Sequence, residues 1–242
     1  MINSNPNTPT FIFDESPFHW QMTRCEKFAF ASLLEHIKPE VAIEIGTHKG
    51  GSLEIISRNA GNVHSIDISA DCRELLSSHF SNVEFHTGRS AELIPVILKE
   101  IKENRENLEF VLIDGDHSTA GVMADINAVL EYKPMKPLYV IFHDSFNPAA
   151  RKGILGANWK ECEFVHYVEV DFVPGVYHYS AFDTAEPRSM YGGLELALLL
   201  PGKREGELVI HQSQEGLFNT VYPHSCHARR NILKKFISRI FG

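Results

Sequence analysis

The chain has no apolar run long enough to cross a bilayer. Its longest stretch, Leu194 to Leu200, is interrupted by Glu195 and falls far short of the ~20 residues a spanning helix needs. Its first residues, MINSNPNTPTFIF, lack the basic segment and apolar run of a secretory signal, so a cytoplasmic location is expected. Cysteine is scarce as well: Cys25, Cys72, Cys162 and Cys226 lie far apart with no C-x-x-C pair, which excludes a zinc knuckle or a dithiol redox motif. Positive charge is in deficit, with 23 Lys and Arg against 31 Asp and Glu and a net charge of -8. Binding to a phosphate-rich polymer rests on Lys and Arg contacts, so nucleic acid is not expected as a partner. Internal repeats and low-complexity tracts are also missing. What remains, 43% hydrophobic and 22% charged over 242 residues, is ordinary globular composition that fits one α/β domain.

Within it, short apolar and β-branched runs alternate with helical segments. VAIEI (41–45), VHSID (63–67), VEFH (83–86), FVLID (110–114) and YVIFHD (139–144) read as strands, separated by helices ending near 59, 79, 107 and 131. Two longer strand candidates, 164–173 and 194–200, follow a crossover helix near 149–155. This beat argues a Rossmann-like, doubly wound, mostly parallel sheet of seven strands with an antiparallel last strand. Ligands of such a sheet bind outside the carboxyl ends of its strands. Residues 1–21 read as an irregular arm, 22–202 as the domain, and 203–242 as an extension. Its final segment is amphipathic, with Ile232, Leu233, Phe236, Ile237 and Ile240 opposite Arg229, Arg230, Lys234, Lys235 and Arg239. Packing of that apolar face on the body or on a second copy of the chain is the simpler reading than contact with a membrane. The excursion between the last two strands carries Tyr177, Tyr179, Phe182 and Tyr191, expected over the site.

Three clusters of chemistry-bearing residues fall at strand ends. The first, Glu44-Ile-Gly46-Thr47-His-Lys-Gly50-Gly51-Ser52, is a glycine-rich turn that lets backbone approach a ligand and then opens a helix. Asp67 ends the next strand about twenty residues on, where an acidic side chain can hold ribose hydroxyls. S-adenosylmethionine (SAM) and NAD both carry that ribose. The spacing G-x-x-x-G differs from the G-x-G-x-x-G dinucleotide fingerprint, whose helix receives a pyrophosphate. SAM has no phosphate, and its ammonium group suits a carboxylate such as Glu44. The second cluster is Asp114-Gly-Asp116-His117; Asp116 or Ser118 can be read as a helix cap, a reading that fits Asp114 and His117 less well. The third is His143-Asp144-Ser145. Asp114 and Asp144 on adjacent strand ends, with His143 alongside, suit a divalent cation.

In order, EIGTHKGGS, HSIDIS, GRSAEL, FVLIDGDHS, VIFHDS and GGLELALLL resemble the small class I methyltransferase family that includes cephalosporin-hydroxylase-like and macrolide-sugar O-methyltransferase proteins, over roughly residues 22–200. The resemblance implies that Glu44 to Ser52 surround the methionine portion of SAM, Asp67 the ribose, and Gly88, Arg89 and Ser90 the adenine edge. It implies Asp114 and Asp144 as metal ligands and His117 as general base. Macrolide-sugar relatives carry an acidic pair where this chain has His143-Asp144, and a histidine there departs from the oxygen shell Mg²⁺ prefers. The expected activity is metal-assisted methylation of a hydroxyl on a sugar or other small molecule, with SAM and a divalent cation, Mg²⁺ or Mn²⁺, as cofactors. The rival readings are a nicotinamide-dependent oxidoreductase and a non-catalytic SAM- or metal-binding module.

Overall fold

The computed structural model describes residues 17–179 and 188–228. Phe182, the first sixteen residues and the amphipathic tail from Arg229 lie outside the described residues. Helix α1 (Arg24–Ile37) starts in a capping box, with Thr23 and Glu26 each satisfying the other's backbone N–H, and ends at Lys38 in a left-handed conformation before Pro39. Phe30 and Leu34 form its fully buried stripe, one turn apart. Strand β1 (Val41–Ile45) is buried along its whole length, as expected of a strand covered on both faces.

The alternation then runs α2 (Gly51–Asn59), β2 (Asn62–Asp67), α3 (Asp71–Leu76), β3 (Val83–Thr87), α4 (Ser90–Asn104), β4 (Leu108–Ile113), α5 (Thr119–Val129), β5 (Leu138–His143), α6 (Pro148–Gly156), β6 (Val165–Val173), β7 (Val176–Tyr179), β8 (Arg188–Tyr191), β9 (Leu194–Leu199), β10 (Ile210–His211) and α7 (Glu215–Val221). The main sheet has the order β10-β6-β9-β5-β4-β1-β2-β3. Strand β9 is antiparallel to both β5 and β6, and the other pairings are parallel. Seven of these strands are the ones read from the sequence. The eighth, β10, has two residues and too short an apolar pattern to announce itself; with buried Leu208 it ties the segment after residue 202 to the sheet. Strands β7 and β8 form a separate antiparallel hairpin.

Two cores result, one on each face of the sheet. Strand residues such as Val41, Ile43, Ile45 and Val111 pack with Ile94, Ile97, Val122, Ile126 and Ile154 of α4, α5 and α6. Ala42, Phe110 and Leu112 pack on the other face with Phe30, Leu34, Leu53, Ile56 and Leu76 of α1, α2 and α3. Each fully buried large aliphatic or aromatic side chain contributes about 1.5–3 kcal/mol. The strand order reverses between β1 and β4, and there the two strand ends touch: Asp114 N donates to the Ile45 carbonyl at 2.8 Å. Gly46, at φ 95°, allows this approach, because a Cβ there would lie 2.2 Å from the Asp114 carbonyl oxygen. The crevice outside this reversal is where an open α/β sheet binds its ligand. Among the described residues no helix is long and apolar enough to cross a membrane.

Candidate active site

A cavity of about 550 Å³ opens at the carboxyl ends of β1, β2 and β4, lined by Gly46, Thr47, Gly51, Ser52, Asp67, Gly88, Arg89, Ser90, Asp114 and His117 among others. The structure thus brings together most of the glycine turn and the Asp114 to His117 run with Asp67, Gly88, Arg89 and Ser90, while His143, Asp144 and Ser145 lie outside this cavity. Asp67 is held by the backbone: its Oδ2 accepts from His48 N at 2.9 Å and its Oδ1 from Ser69 N at 2.8 Å. Each oxygen keeps acceptor capacity for a diol at the cavity wall.

Two of the expected cofactor residues do not face this space. Glu44 alternates with Ile43 and Ile45 along β1, so its side chain points to the α2 face, where it is fully buried. There Ser52 Oγ and Ser65 Oγ donate to its two carboxylate oxygens at 2.6 and 2.8 Å, and burial pushes its pKa up to about 8. It meets the cavity wall through Ser52 and, by way of Ser65 Oγ, through Thr47 Oγ1 at 2.6 Å. Gly50 is needed for its own turn, at φ 76°, and a Cβ there would press on Leu76 and Phe18 rather than on the cavity.

A residue the motif reading missed lies at the opposite end. Asp125, on the buried stripe of α5, projects into the cavity wall and accepts from Ser90 Oγ at 2.5 Å through Oδ1. Its Oδ2 is buried with no hydrogen-bond partner, and burial raises its pKa. Such an orphaned acceptor costs about 1–3 kcal/mol unless a ligand donor meets it. Only its helical spacing from the DGDHS motif marked it in the sequence. Asp116 instead serves the helix start, accepting from Ser118 N and Ser118 Oγ at 2.8 and 2.9 Å, while Ser118 caps α5.

His19, Trp20 and Gln21 of the N-terminal segment form one wall of the cavity. His19 pairs with Gly50 as an isolated bridge, and a Cβ on Gly51 would fall 2.4 Å from Trp20 Cβ and 2.7 Å from the His19 carbonyl. His19 and Trp20 therefore pack against one side of the start of α2, whose Gly51 and Ser52 still line the cavity.

A second cavity of about 330 Å³ adjoins the first and shares Gln21, Asp114 and His117 with it. Its other walls include Glu26, His143, Asp144, Tyr191 and Gly192, so Tyr191 of the excursion does reach the site, whereas Tyr177 and Tyr179 do not line it. Three carboxylates and two imidazoles interlock here. Asp114 Oδ1 lies 3.1 Å from His117 Nε2 and 2.9 Å from His143 Nδ1. Asp144 Oδ2 lies 3.4 Å from His117 Nδ1, and Glu26 Oε2 lies 3.8 Å from His143 Nε2, an ion-pair distance rather than a hydrogen bond. Burial opposes the charge on Asp114, but His143 and His117 overcome it and hold its pKa at about 2. Burial likewise opposes charge on His143, yet Asp114, Glu26 and Asp144 hold its pKa well above 6.5. The Asp114 hydrogen bond and Asp144 raise His117.

Glu26 was hidden from the motif reading because Thr23-x-x-Glu26 marks only a helix start. In the fold its carboxylate is almost fully buried and also accepts from Gly193 N. Gly192 and Gly193, both at positive φ, leave no room for side chains: a Cβ on Gly192 would lie 2.6 Å from Glu26 Oε1. Asp144 adopts φ 65°, which Asp tolerates better than most residues, and its Oδ1 accepts from Gly192 N at 2.5 Å.

The expected metal set of Asp114, His143 and Asp144 is rearranged. Asp114, His117 and His143 are the side chains whose ligand atoms lie mutually within 4.8 Å; Asp144 is drawn aside by Gly192 and faces the outer nitrogen of His117. One carboxylate and two imidazoles suit a borderline cation such as Zn²⁺, Fe²⁺ or Mn²⁺ better than Mg²⁺.

Residues 43–145 match a family described as a methyltransferase domain. No curated protein sequence matches the chain. Among solved structures, the chain is similar to an O-methyltransferase from Bacillus cereus in complex with SAH, at 16% identity and a TM-score of 0.52 over 74% of this chain and 82% of that one. It is also similar to the O-methyltransferase TomG from Streptomyces achromogenes, involved in tomaymycin synthesis and in complex with SAM, at 16% identity and a TM-score of 0.53 over 75% and 82% of the two chains. A third likeness is to cofactor-bound Rv0187 from MTB, with 15% identity and a TM-score of 0.55 over 79% and 87%. At these identities the likeness establishes the shared fold.

Proposed function

Taking the methyltransferase domain of residues 43–145 as the premise, we propose that this chain is a cytoplasmic, SAM-dependent O-methyltransferase acting on a small hydroxylated molecule such as a sugar. The observation that carries the reading is the pair of cavities meeting at Asp114 and His117. One is built for a cofactor with a ribose and a base, the other for an acceptor. Asp67 would hold the ribose hydroxyls, the orphaned Oδ2 of Asp125 would accept from the adenine amino group, and Gly46, Thr47 and Ser52 would border the methionine portion. When bound, SAM supplies an electrophilic methyl group on a sulfonium, open to in-line attack. The G-x-x-x-G spacing of the turn, in place of G-x-G-x-x-G, counts against a nicotinamide dinucleotide. A set of titratable groups shared between two cavities is more than a binding module needs.

His117 is the base of this reading. Asp114 fixes its Nε2, in the orienting role an acidic residue plays toward a catalytic imidazole. The weaker 3.4 Å contact of Nδ1 with Asp144 is the one an acceptor hydroxyl would displace. His143, pinned by Asp114 and Glu26, positions Asp114. A borderline divalent cation on Asp114, His117 and His143 is the second reading, favoured by their mutual distances; it would supply Lewis acidity to the hydroxyl and would take His117 from its role as base. A screen of hydroxylated acceptors with methyl-labelled SAM tests the activity. Labelled product that is lost in His117→Ala is expected; product formed equally well by that variant contradicts the assignment of the base. Activity unchanged in excess chelator favours the imidazole alone, and activity restored by added Mn²⁺ or Zn²⁺ favours the metal.

A further inference from the structure

The sheet edge farthest from the acceptor cavity carries a second group of ligand-type side chains. His64 on β2 stands directly opposite Glu84 on β3 in the parallel register. His86 is two residues beyond Glu84 and therefore on the same face of the sheet. The His64 Nδ1 to His86 Nε2 separation is 3.0 Å, and the Glu84 carboxylate approaches the two nitrogens to 3.8 and 4.0 Å. The imidazoles stack at 5.3 Å with 30° between their planes. His64 is buried, His86 is half-buried, and Glu84 is open to solvent.

We propose that His64, Glu84 and His86 form a binding site for a divalent transition metal of the zinc class, separate from the methyl-transfer centre. A tetrahedral zinc ion with bonds of about 2.0–2.1 Å holds its ligand atoms about 3.3 Å apart. The three separations here bracket that value, the two to Glu84 running from different carboxylate oxygens, so the imidazoles need to part by a few tenths of an ångström and the exposed Glu84 needs to turn one oxygen toward both nitrogens. Two imidazoles and one carboxylate are a donor set for zinc and its neighbours rather than for Mg²⁺ or Ca²⁺, which take oxygen. His86 and Glu84 border an open groove with Arg73 and Ser77, leaving a side from which water can complete the shell. Register and strand pairing fix the ligands before any ion arrives. Strand β3 is the last in the sheet, and an ion shared between β2 and β3 clips that edge in place. The same strand runs on into Gly88, Arg89 and Ser90 at the cofactor cavity, so the clip steadies that wall.

The test must separate this site from the Asp114, His117 and His143 group. Chelator-stripped full-length protein carrying His117→Ala is titrated with Zn²⁺ by calorimetry, and with Co²⁺ by visible absorption as a probe of coordination. One equivalent of Zn²⁺ is expected, together with the absorption of a low-symmetry, four-coordinate Co²⁺. Adding His86→Gln should remove that equivalent. Adding Glu84→Gln, an exposed change that leaves the sheet intact, should weaken it by more than the roughly 10- to 100-fold that loss of an outer-shell partner costs. Circular dichroism checks that each variant is folded, and the Glu84 variant carries the test if the His86 variant is not. Identical zinc isotherms with and without Glu84→Gln, or no zinc taken up by the His117→Ala protein, would overturn the proposal. The readout is the metal itself, so the result stands apart from the methyltransferase reading.

Discussion

The two cavities that meet at Asp114 are built in opposite ways. The cofactor side comes from consecutive strand ends, β1 to β4, and its polar groups are largely satisfied by backbone N–H groups and hydroxyls, as Asp67 is by His48 and Ser69. The acceptor side draws on the start of α1, the end of β5 and the turn before β9, and its groups satisfy one another through charge. One is a scaffold awaiting a ligand, with a buried acceptor left unmet at Asp125 Oδ2. The other is a network whose protonation state is part of its structure. Changes on one side should therefore alter binding, and changes on the other should alter turnover and its pH dependence.

The largest expected effect is on the acceptor side. Replacing His117 with Ala should lower turnover by about 10²- to 10⁴-fold, the usual contribution of a general base, while SAM affinity measured by calorimetry stays near that of the parent protein. Loss of SAM binding to the same degree would erase the distinction between the two sides. Next is Glu26→Ala, which leaves His143 without one of its carboxylate partners. Removing one member of a buried ionic network costs about 3 kcal/mol or more, readable as a lower denaturant midpoint. Glu26→Gln, whose single amide oxygen can accept from only one of the Thr23 and Gly193 N–H groups and which loses the charge, should recover part of that stability and little of the activity.

A smaller effect is expected on the cofactor side from Asp125→Ala. Losing one hydrogen bond to a cofactor amino group is worth about 1.4 kcal/mol, or about tenfold in SAM affinity, with the KM for the acceptor unchanged. An acceptor KM that rises while SAM affinity holds would place Asp125 on the wrong side.

The pH dependence divides the network itself. His117 and His143 have folded pKa values raised above 6.5, so their contribution to stability is complete below 6.5 and is lost as pH rises through the raised values. Asp114 is depressed from 3.8 to about 2, so its contribution is present above 3.8 and lost as pH falls toward 2. The network should stabilise the fold most between about 4 and 6.5. A base must be neutral, so turnover should rise with pH through the raised His117 value, just where this stabilisation declines. Thermal denaturation and pH-rate profiles on one set of buffers check both trends. Turnover and network stability rising together above pH 6.5 would contradict the role given to His117.

The cofactor side was legible because its residues sit within a few positions of strand ends that periodicity locates; the glycine turn, Asp67 and the DGDH run all fell into place. The seven-strand sheet was legible for the same reason. The layer that Glu44 enters was not legible, because alternation along a strand buried on both faces decides it and apolar residues on both sides hide that parity. The acceptor side was legible only in Asp114, His117, His143 and Asp144. Glu26 and Gly192-Gly193 reach it through long-range packing, 117 and 49 residues from His143 respectively at their nearest, and no local pattern encodes that meeting. Asp144 was read as a metal ligand; its left-handed backbone just past β5 turns one carboxylate oxygen toward Gly192 N, in the turn that leads into the antiparallel neighbour β9.

Whether the cavity at the β1 and β4 strand ends holds SAM is tested most directly by thermal unfolding with SAM or SAH against NAD. At a hundredfold excess over the dissociation constant, linkage gives about 2.7 kcal/mol, a melting shift of roughly 5–10 °C for a domain of this size. That shift is expected with SAM or SAH, with its reduction in Asp67→Ala, and none with NAD. A comparable shift with NAD and none with SAM would contradict the SAM assignment.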